Sequence, residues 1–545
     1  MTDAADVVLV DGEVHTLGEP DETHEAVAVR DGEIVRVGST YDVEFLADAE
    51  TDVIDLDGDV LLPGFVDAHT HLTNSGRYLV HADLSTADSP EDAVELLRER
   101  ATETTGDTAA SGDGATAAGG GDDRTAGDAV GDDSAADEYV LGFGYDESTW
   151  TPSRYLTRED LDAVSETRPV IAFREDMHVA SVNGVALERH RGEMPDGDVQ
   201  TDTERAGAGD PTGVVVEEAV DPLYDAVEPD YEATRELVTA AQAAANERGV
   251  TGIHDMVRRS HAPAVYRDLA AAGELTLRVR LNYWTDHLDA LIELGERTNH
   301  GSELVQTGAV KSYTDGSFGG RTAKLSAPYA DGDGTGQWVV DPEELREYVA
   351  RAEAHDLQFT AHAIGDEAVR AVVEAYEDLT DPAAARHRIE HVELADADLR
   401  ERIAESGIVA SMQPNFLKWA GEDGLYADRL GERRAETNRL ADYTARDAHL
   451  AFGSDCMPLD PLLGVHHAVN APAAGQRLDP TTALRAYTRG AAYAGFDEDR
   501  LGTVEPGKRA DLVALDASPW DEPGAIRDID VTLTTLGGDV VYERD

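Results

Sequence analysis

Lysine is nearly absent from this chain. It has 45 basic side chains in 545 residues, yet only Lys311, Lys324, Lys418 and Lys508 are lysines. Cysteine is rarer still: Cys456 stands alone, which excludes an internal disulfide framework and a cysteine-based zinc site. No run reaches the roughly 20 apolar residues of a membrane helix. The N-terminal MTDAADVVLVDG has neither the basic nor the apolar region of an export signal, so a soluble, cytoplasmic protein is expected. Positive charge is also scarce, with 45 basic against 111 acidic side chains and a formal net charge of −66. Such a surface repels nucleic acid and anionic lipid, so neither is expected as a partner. It stays soluble best where salt screens its self-repulsion, and the whole composition points to a halophile's cytoplasm. Residues 101–137 lack aromatics, Leu and Ile, with Val130 their one branched aliphatic. That span is read as a solvated, disordered insertion. Its glycines are not followed by Lys-Ser/Thr, which excludes a phosphate-binding loop.

What the chain does contain is strand and helix signal. Hydrophobic residues make up 41%, enough for a large core. The first sixty residues alternate apolar and polar positions around Asp11-Gly12, Asp31-Gly32 and Asp57-Gly58, which are hairpin turn signals. The C-terminal ADLVALD and VTLTTLGGDVVYERD read the same way. The two termini, residues 1–60 and 500–545, are therefore expected to form one small β-sandwich. Between them, residues 61–499 should form a (β/α)8 barrel carrying an irregular insertion at about 80–230. The eight strand candidates are GFVDAHTHL, VTGIHDM, LRVRLNYW, GAVKSYTDG, LQFTAHAIG, HRIEHVEL, GIVASMQP and HLAFGSD. Helical stretches alternate with several of them, and Asp341-Pro342 and Asp479-Pro480 mark helix starts. This alternation specifies a parallel α/β fold, and eight strands specify a closed barrel.

Chemistry-bearing residues recur at the ends of these strands. His69 and His71 sit two apart, and on a strand such positions share a face with about 7 Å between Cα atoms. They form a metal pincer, or else are two ordinary histidines among 18. His362, His391 and Asp455 each follow an apolar strand and precede a turn. In a β/α barrel such ends converge on one mouth. Four imidazoles and a carboxylate gathered there call for a cation.

PGFVDAHTHL, GAVKSYTDGSFGGRTAKLSAPY, AHAIGDEAV, RIEHVE, SMQP, AFGSD and GTVEPGKRADLVALD together resemble the amidohydrolase superfamily. GFGYDESTW and RPVIAFREDMHVASVNGVAL narrow the resemblance to its third family, the branch with N-substituted formamide deformylases. Tyr145 stands where that branch often has Trp. The resemblance covers nearly all of the chain outside 101–137. It implies that His69 and His71 hold one divalent ion, His362 and His391 a second, and that Asp455 ligates the first and serves as acid and base. Zinc suits such a His-rich site, with manganese, iron and nickel left open. Lys311 matches the lysine that, in binuclear members, CO₂ converts to a carbamate bridging both ions. Only a neutral primary amine attacks CO₂, and burial favours neutrality; arginine stays charged and forms no such bridge. That gives a reason for a lysine to persist in a chain that otherwise uses arginine.

The implied reaction is hydrolysis of a non-peptide carbon–nitrogen bond in a small amide, formamide or cyclic amide. Asp455 takes a proton from water and returns it to the leaving nitrogen. Two alternatives stay open: a lactonase or phosphotriesterase, and a non-catalytic scaffold of the same fold. His178 in DMHVASVN matches a position near the branch's active site, as a substrate or oxyanion contact or as a structural histidine. Arg321 meets a substrate anion or braces its glycine loop, and Asp146 is similar. His254 is a candidate for supporting the ligands, and Cys456 reads as a small core residue. A homodimer is left open, and the substrate itself is not legible.

Overall fold

The computed structural model describes residues 4–110, 139–175, 178–201 and 209–544. Eight strands form one sheet in which every pairing is parallel: β1 (Phe65–Thr70), β2 (Val250–Val257), β3 (Arg278–Trp284), β4 (Val305–Tyr313), β5 (Gln358–Ala363), β6 (Arg388–His391), β7 (Val409–Met412) and β8 (Leu450–Phe452). They follow one another around the sheet in chain order. All eight candidate segments are strands, as expected of a sheet covered on its outer face and filled inside. Helices such as Pro342–Glu353 and Asp366–Glu377 intervene. The first begins where its sequence places it, with the Asp341 carboxylate accepting from the Glu343 amide and Pro342 next to it.

Between β8 and β1 the ring is completed by specific bonds rather than by a regular ladder. The Asp455 amide donates to the His69 carbonyl at 2.8 Å. The buried Asp67 carboxylate accepts from the Ser454 amide at 3.0 and 3.1 Å. A β-carbon on Gly453 would lie 2.3 Å from the His69 nitrogen, so only glycine lets the two chains approach this closely. The closure ties together the strand ends that carry His69 and Asp455.

Two further sheets come from the termini. One has four strands within residues 7–55, and the other has six strands drawn from residues 13–63 and 512–543. Leu9, Val27, Val29 and Ile34 of the first pack against Leu61, Leu512, Ala514 and Leu533 of the second in a single apolar cluster. This face-to-face burial makes a two-sheet sandwich.

The chain divides into two units, and the second comprises residues 73–241 and 260–265. Its centre is a six-stranded mixed sheet containing Val140–Tyr145, Val170–Arg174 and Val179–Val182. Alternate residues feed two cores: Leu141, Phe143, Ile171 and Phe173 on one face, Val140, Val170 and Ala172 on the other. The period-2 pattern there is apolar on both faces, as a sheet covered on both sides requires. The helix Pro90–Ala110 extends into the span expected to lack structure, so residues 101–110 correct that expectation. A proline start followed by Glu91 and Asp92 favours the helix's first turn. Residues 111–137 lie outside the described residues.

Candidate active site

His69, His391 and Asp455 offer ligand atoms that all lie within 4.8 Å of one another. His69 is on β1, His391 ends β6, and Asp455 lies three residues beyond β8. His71 is the first residue past β1 rather than part of it, which corrects the same-strand reading. A register shift in the β1–β2 pairing disturbs the regular alternation at this end. His71 nonetheless reaches the cluster, its Nε2 3.4 Å from an Asp455 oxygen that is 3.5 Å from His69 Nε2. His362 on β5 completes the group, its ring centroid 4.5 Å from that of His391, which is 4.9 Å from that of His69. The four imidazoles thus form a continuous row, His71–His69–His391–His362, rather than two separated pairs.

Three of the rings are oriented by what their other nitrogen touches. His69 Nδ1 lies 2.6 Å from Glu390, His71 Nδ1 lies 3.2 Å from the Met256 carbonyl, and His362 Nε2 lies 3.0 Å from the Gly316 carbonyl. Partners of this kind fix the tautomer and leave one lone pair for a metal. Burial, followed by the nearby Lys311 charge, lowers His69 to about 3, His71 to about 4 and His362 to about 3. Burial also holds His391 well below its usual range, with His362 adding to the effect. All four rings are therefore neutral near pH 7, the state that binds metal. His391 Nδ1 is buried and has no hydrogen-bond partner. A buried orphan nitrogen inside a ring of neutral donors fits a cation.

Lys311, on β4, is fully buried, with its ammonium 5.7 Å from the Tyr313 ring centroid. Burial pushes it down to about 8, against the opposing pull of Glu390 and Asp455. Asp455 is raised to about 7 by burial, with Lys311 opposing and Asp67 and Glu390 adding. Asp455 and Cys456 both take left-handed backbone, φ 54° and 60°, and so do His391 and Val392 at 74° and 46°. Strain at the two strand ends that carry Asp455 and His391 has to be held by the surrounding fold.

Sequence reasoning missed Glu390. It is fully buried, pairs with Arg388 at 2.8 Å, accepts from Thr360, and holds His69. Burial alone would raise its carboxyl, but Arg388, His69 and Lys311 outweigh that and hold it well below the carboxylate range. The available signal was RIEH, where Arg and Glu two apart on an otherwise apolar strand share its inner face. His254 lies in the middle of β2. Its Nδ1 is 2.7 Å from Arg388, so it touches the His69 support from behind. Cys456 Sγ accepts from the His71 amide and donates to the His71 carbonyl, both at 3.0 Å, which places the second histidine. Arg321 is exposed and forms a two-pronged pair with Asp331 at 3.1 and 2.7 Å. Asp146 and His178 belong to the second unit. Asp146 caps the turn Glu147–Thr149 and pairs with Arg174, while His178 is exposed beside Glu217 at 3.3 Å.

A parallel β/α barrel whose strand ends gather neutral histidines, a carboxylate and a buried lysine has the makings of a hydrolase centre. The chain belongs to the amidohydrolase family, whose model matches residues 52–542. It is 29% identical over 560 residues, 98% of each chain, to YtcJ of Bacillus subtilis (strain 168), a provisionally assigned amidohydrolase. It is 25% identical over 578 residues to the N-substituted formamide deformylase of Arthrobacter pascens, covering 100% of this chain and 99% of that one. Among solved structures, an uncharacterized metal-dependent hydrolase from Pyrococcus furiosus superposes with a TM-score of 0.76 at 28% identity, over 94% of this chain and all of that one.

Proposed function

We propose that this protein is a metal-dependent hydrolase of a non-peptide carbon–nitrogen bond in a small amide, formamide or cyclic amide. One observation carries the reading: four neutral imidazoles, three of them oriented by hydrogen-bond partners, converge with the Asp455 carboxylate around the orphan His391 Nδ1. His69, His71 and Asp455 would hold one divalent ion, zinc by preference, and His362 and His391 a second. Lys311 would join them as a carbamate; its burial keeps a fraction of the free amine available near neutral pH for reaction with CO₂. When bound, such ions polarise the scissile carbonyl and make hydroxide available near neutrality.

The chain's own groups do the rest. The Asp455 carboxylate takes the proton of the attacking water and passes it to the nitrogen as the carbon–nitrogen bond breaks, leaving a carboxylic acid and an amine. Glu390 holds His69 in the tautomer that presents Nε2, and Arg388 keeps Glu390 ionised. The similarity to a formamide deformylase supports the substrate class. The test is element analysis of the purified protein, with a hydrolysis screen over formamides, acylated amines, cyclic amides and lactones. Tightly held divalent metal, with amides turned over faster than lactones, is expected. No metal after reconstitution, or turnover of lactones alone, would overturn it.

A further inference from the structure

SMQP contributes no ligand to the cluster, yet Gln413 within it is fully buried with no hydrogen-bond partner for either Nε2 or Oε1. It is the only side chain among the described residues with two such atoms. Burying both ends of a carboxamide unpaired is destabilising, so a resting fold that tolerates it is holding the group for something absent.

The backbone says where that something sits. On β6 and β7 the inward residues identify themselves by contact: Arg388 donates to Ser411 Oγ at 3.0 Å, and Glu390 beside it reaches His69. Glu390 and Ser411 are register partners. Gln413 is two residues beyond Ser411 with extended backbone, φ −114° and ψ 92°, so it continues the inward face past the end of β7. The turn Pro414–Trp419 follows at once and stacks Phe416 on His391, with centroids 5.8 Å apart and planes 12° from parallel. Gln413 therefore lies on the barrel's inner surface, one step further toward the mouth than the residue level with Glu390. Asn415 does not share this role: its Nδ2 is committed to the Pro458 carbonyl at 2.9 Å.

We infer that Gln413 is a specificity-determining residue that reads the amide edge of the substrate, Oε1 accepting its N–H and Nε2 donating to its carbonyl. A carboxamide presents acceptor and donor side by side. Its best partner is an amide whose N–H and C=O lie on one edge, as a ring enforces. The inference rests on the carbon–nitrogen reading above and narrows it to ring-locked secondary amides, because an ester or lactone offers no N–H.

The test compares wild type, Gln413→Met and Gln413→Leu in the metal-loaded enzyme, with δ-valerolactam, N-butylformamide and δ-valerolactone as probes. Methionine keeps the volume and removes both polar atoms. Both variants should melt at or above the wild-type temperature with unchanged metal content. Their kcat/KM for the lactam should fall at least about 30-fold, and for the lactone less than threefold. Lower melting of both variants, or failure to fold, would show that the carboxamide is used within the fold and would overturn the inference. Loss of metal would assign Gln413 to the ion and do the same. Equal losses on lactam and lactone would sink the inference while leaving the proposed function standing. A wild-type enzyme silent on both amides would sink both.

Discussion

At the N-terminal ends of the barrel strands, Arg278 donates to both oxygens of Asp511 at 2.6 and 2.9 Å. Arg280 donates twice to Asp497, at 2.8 and 2.6 Å, and once to Asn299 at 2.6 Å. At the C-terminal ends, Lys311 lies over a tyrosine ring, His391 Nδ1 has no partner, and Gln413 has none at either end. The same barrel thus satisfies its buried charge at one end and leaves polar groups waiting at the other. Evolution tolerates the second arrangement where a ligand completes it, and the first end reads as stability.

The comparison is broken most severely at the mouth. Lys311→Arg keeps the charge but offers only donors, so it cannot supply a bridging carboxylate. Loss of activity by at least about a thousandfold, ~4 kcal/mol in the barrier, is expected, with the second ion gone. Steady-state kinetics and element analysis check it. Near-native turnover with full metal would make Lys311 an ordinary strand lysine. The Lys311→Ala variant, by contrast, should recover partly with acetate or formate.

At the opposite end the effect should fall on stability alone. Asp497→Ala leaves the Arg280 guanidinium buried beside Asn299 without its counter-charge, a change that typically costs about 3–5 kcal/mol. Denaturant melts should show that loss, while activity per folded molecule stays within about twofold. A large drop in kcat without destabilisation would mean the lower ion pairs feed the site.

A pH titration probes a neutral exception to this contrast, on the residue that precedes β6. His387 Nδ1 accepts from the Phe359 amide at 2.9 Å, and its Nε2 is buried without a partner. Burial lowers its pKa from 6.5 to about 4. Above pH 6.5 the ring is neutral in both states, and its contribution is complete. As pH falls from about 6.5 toward 4 the unfolded chain takes up the proton first and stability declines, by about 3 kcal/mol in all. His387→Asn keeps an acceptor for Phe359 and removes the titration. Denaturation midpoints at pH 7 and 4.5 should therefore differ less in the variant, and an identical pH dependence would refute the assignment.

Much of this was legible beforehand, for reasons that differ by region. The eight barrel strands were readable because each is an apolar run bounded by turn residues, and His362, His391 and Asp455 became candidates because polar residues ending such runs stand out. Glu390 was passed over because its neighbour His391 claimed the motif, and the spacing of Arg388 and Glu390 says that they share a face but not which partners they meet across the barrel. The place of His71 was misjudged because a register shift near a strand end leaves no compositional mark. The helix through residues 101–110 was missed because Ala, Thr and Glu read equally as helix or as solvated coil. Gln413 lay inside a quoted motif, but its missing partners are a three-dimensional fact.

The smallest expected effect concerns Arg321, which sequence offered as either an anion contact or a brace. Its guanidinium is engaged by Asp331 through two hydrogen bonds, and Arg429 binds the same carboxylate at 2.6 Å. Arg321 also sits at φ 56°, where any side chain other than glycine is mildly strained. An exposed pair of this kind contributes little to stability, and Arg429 would retain part of the interaction with Asp331. Arg321→Gly should therefore leave the melting temperature within a few degrees, because the relief of backbone strain offsets part of the lost ion pair. Its kcat/KM should stay within about threefold for neutral amides and for amides carrying a carboxylate. A selective rise in KM of more than tenfold for the carboxylate-bearing amides alone would mean that Arg321 leaves Asp331 to meet the substrate, and the loop it anchors would then belong to the active site.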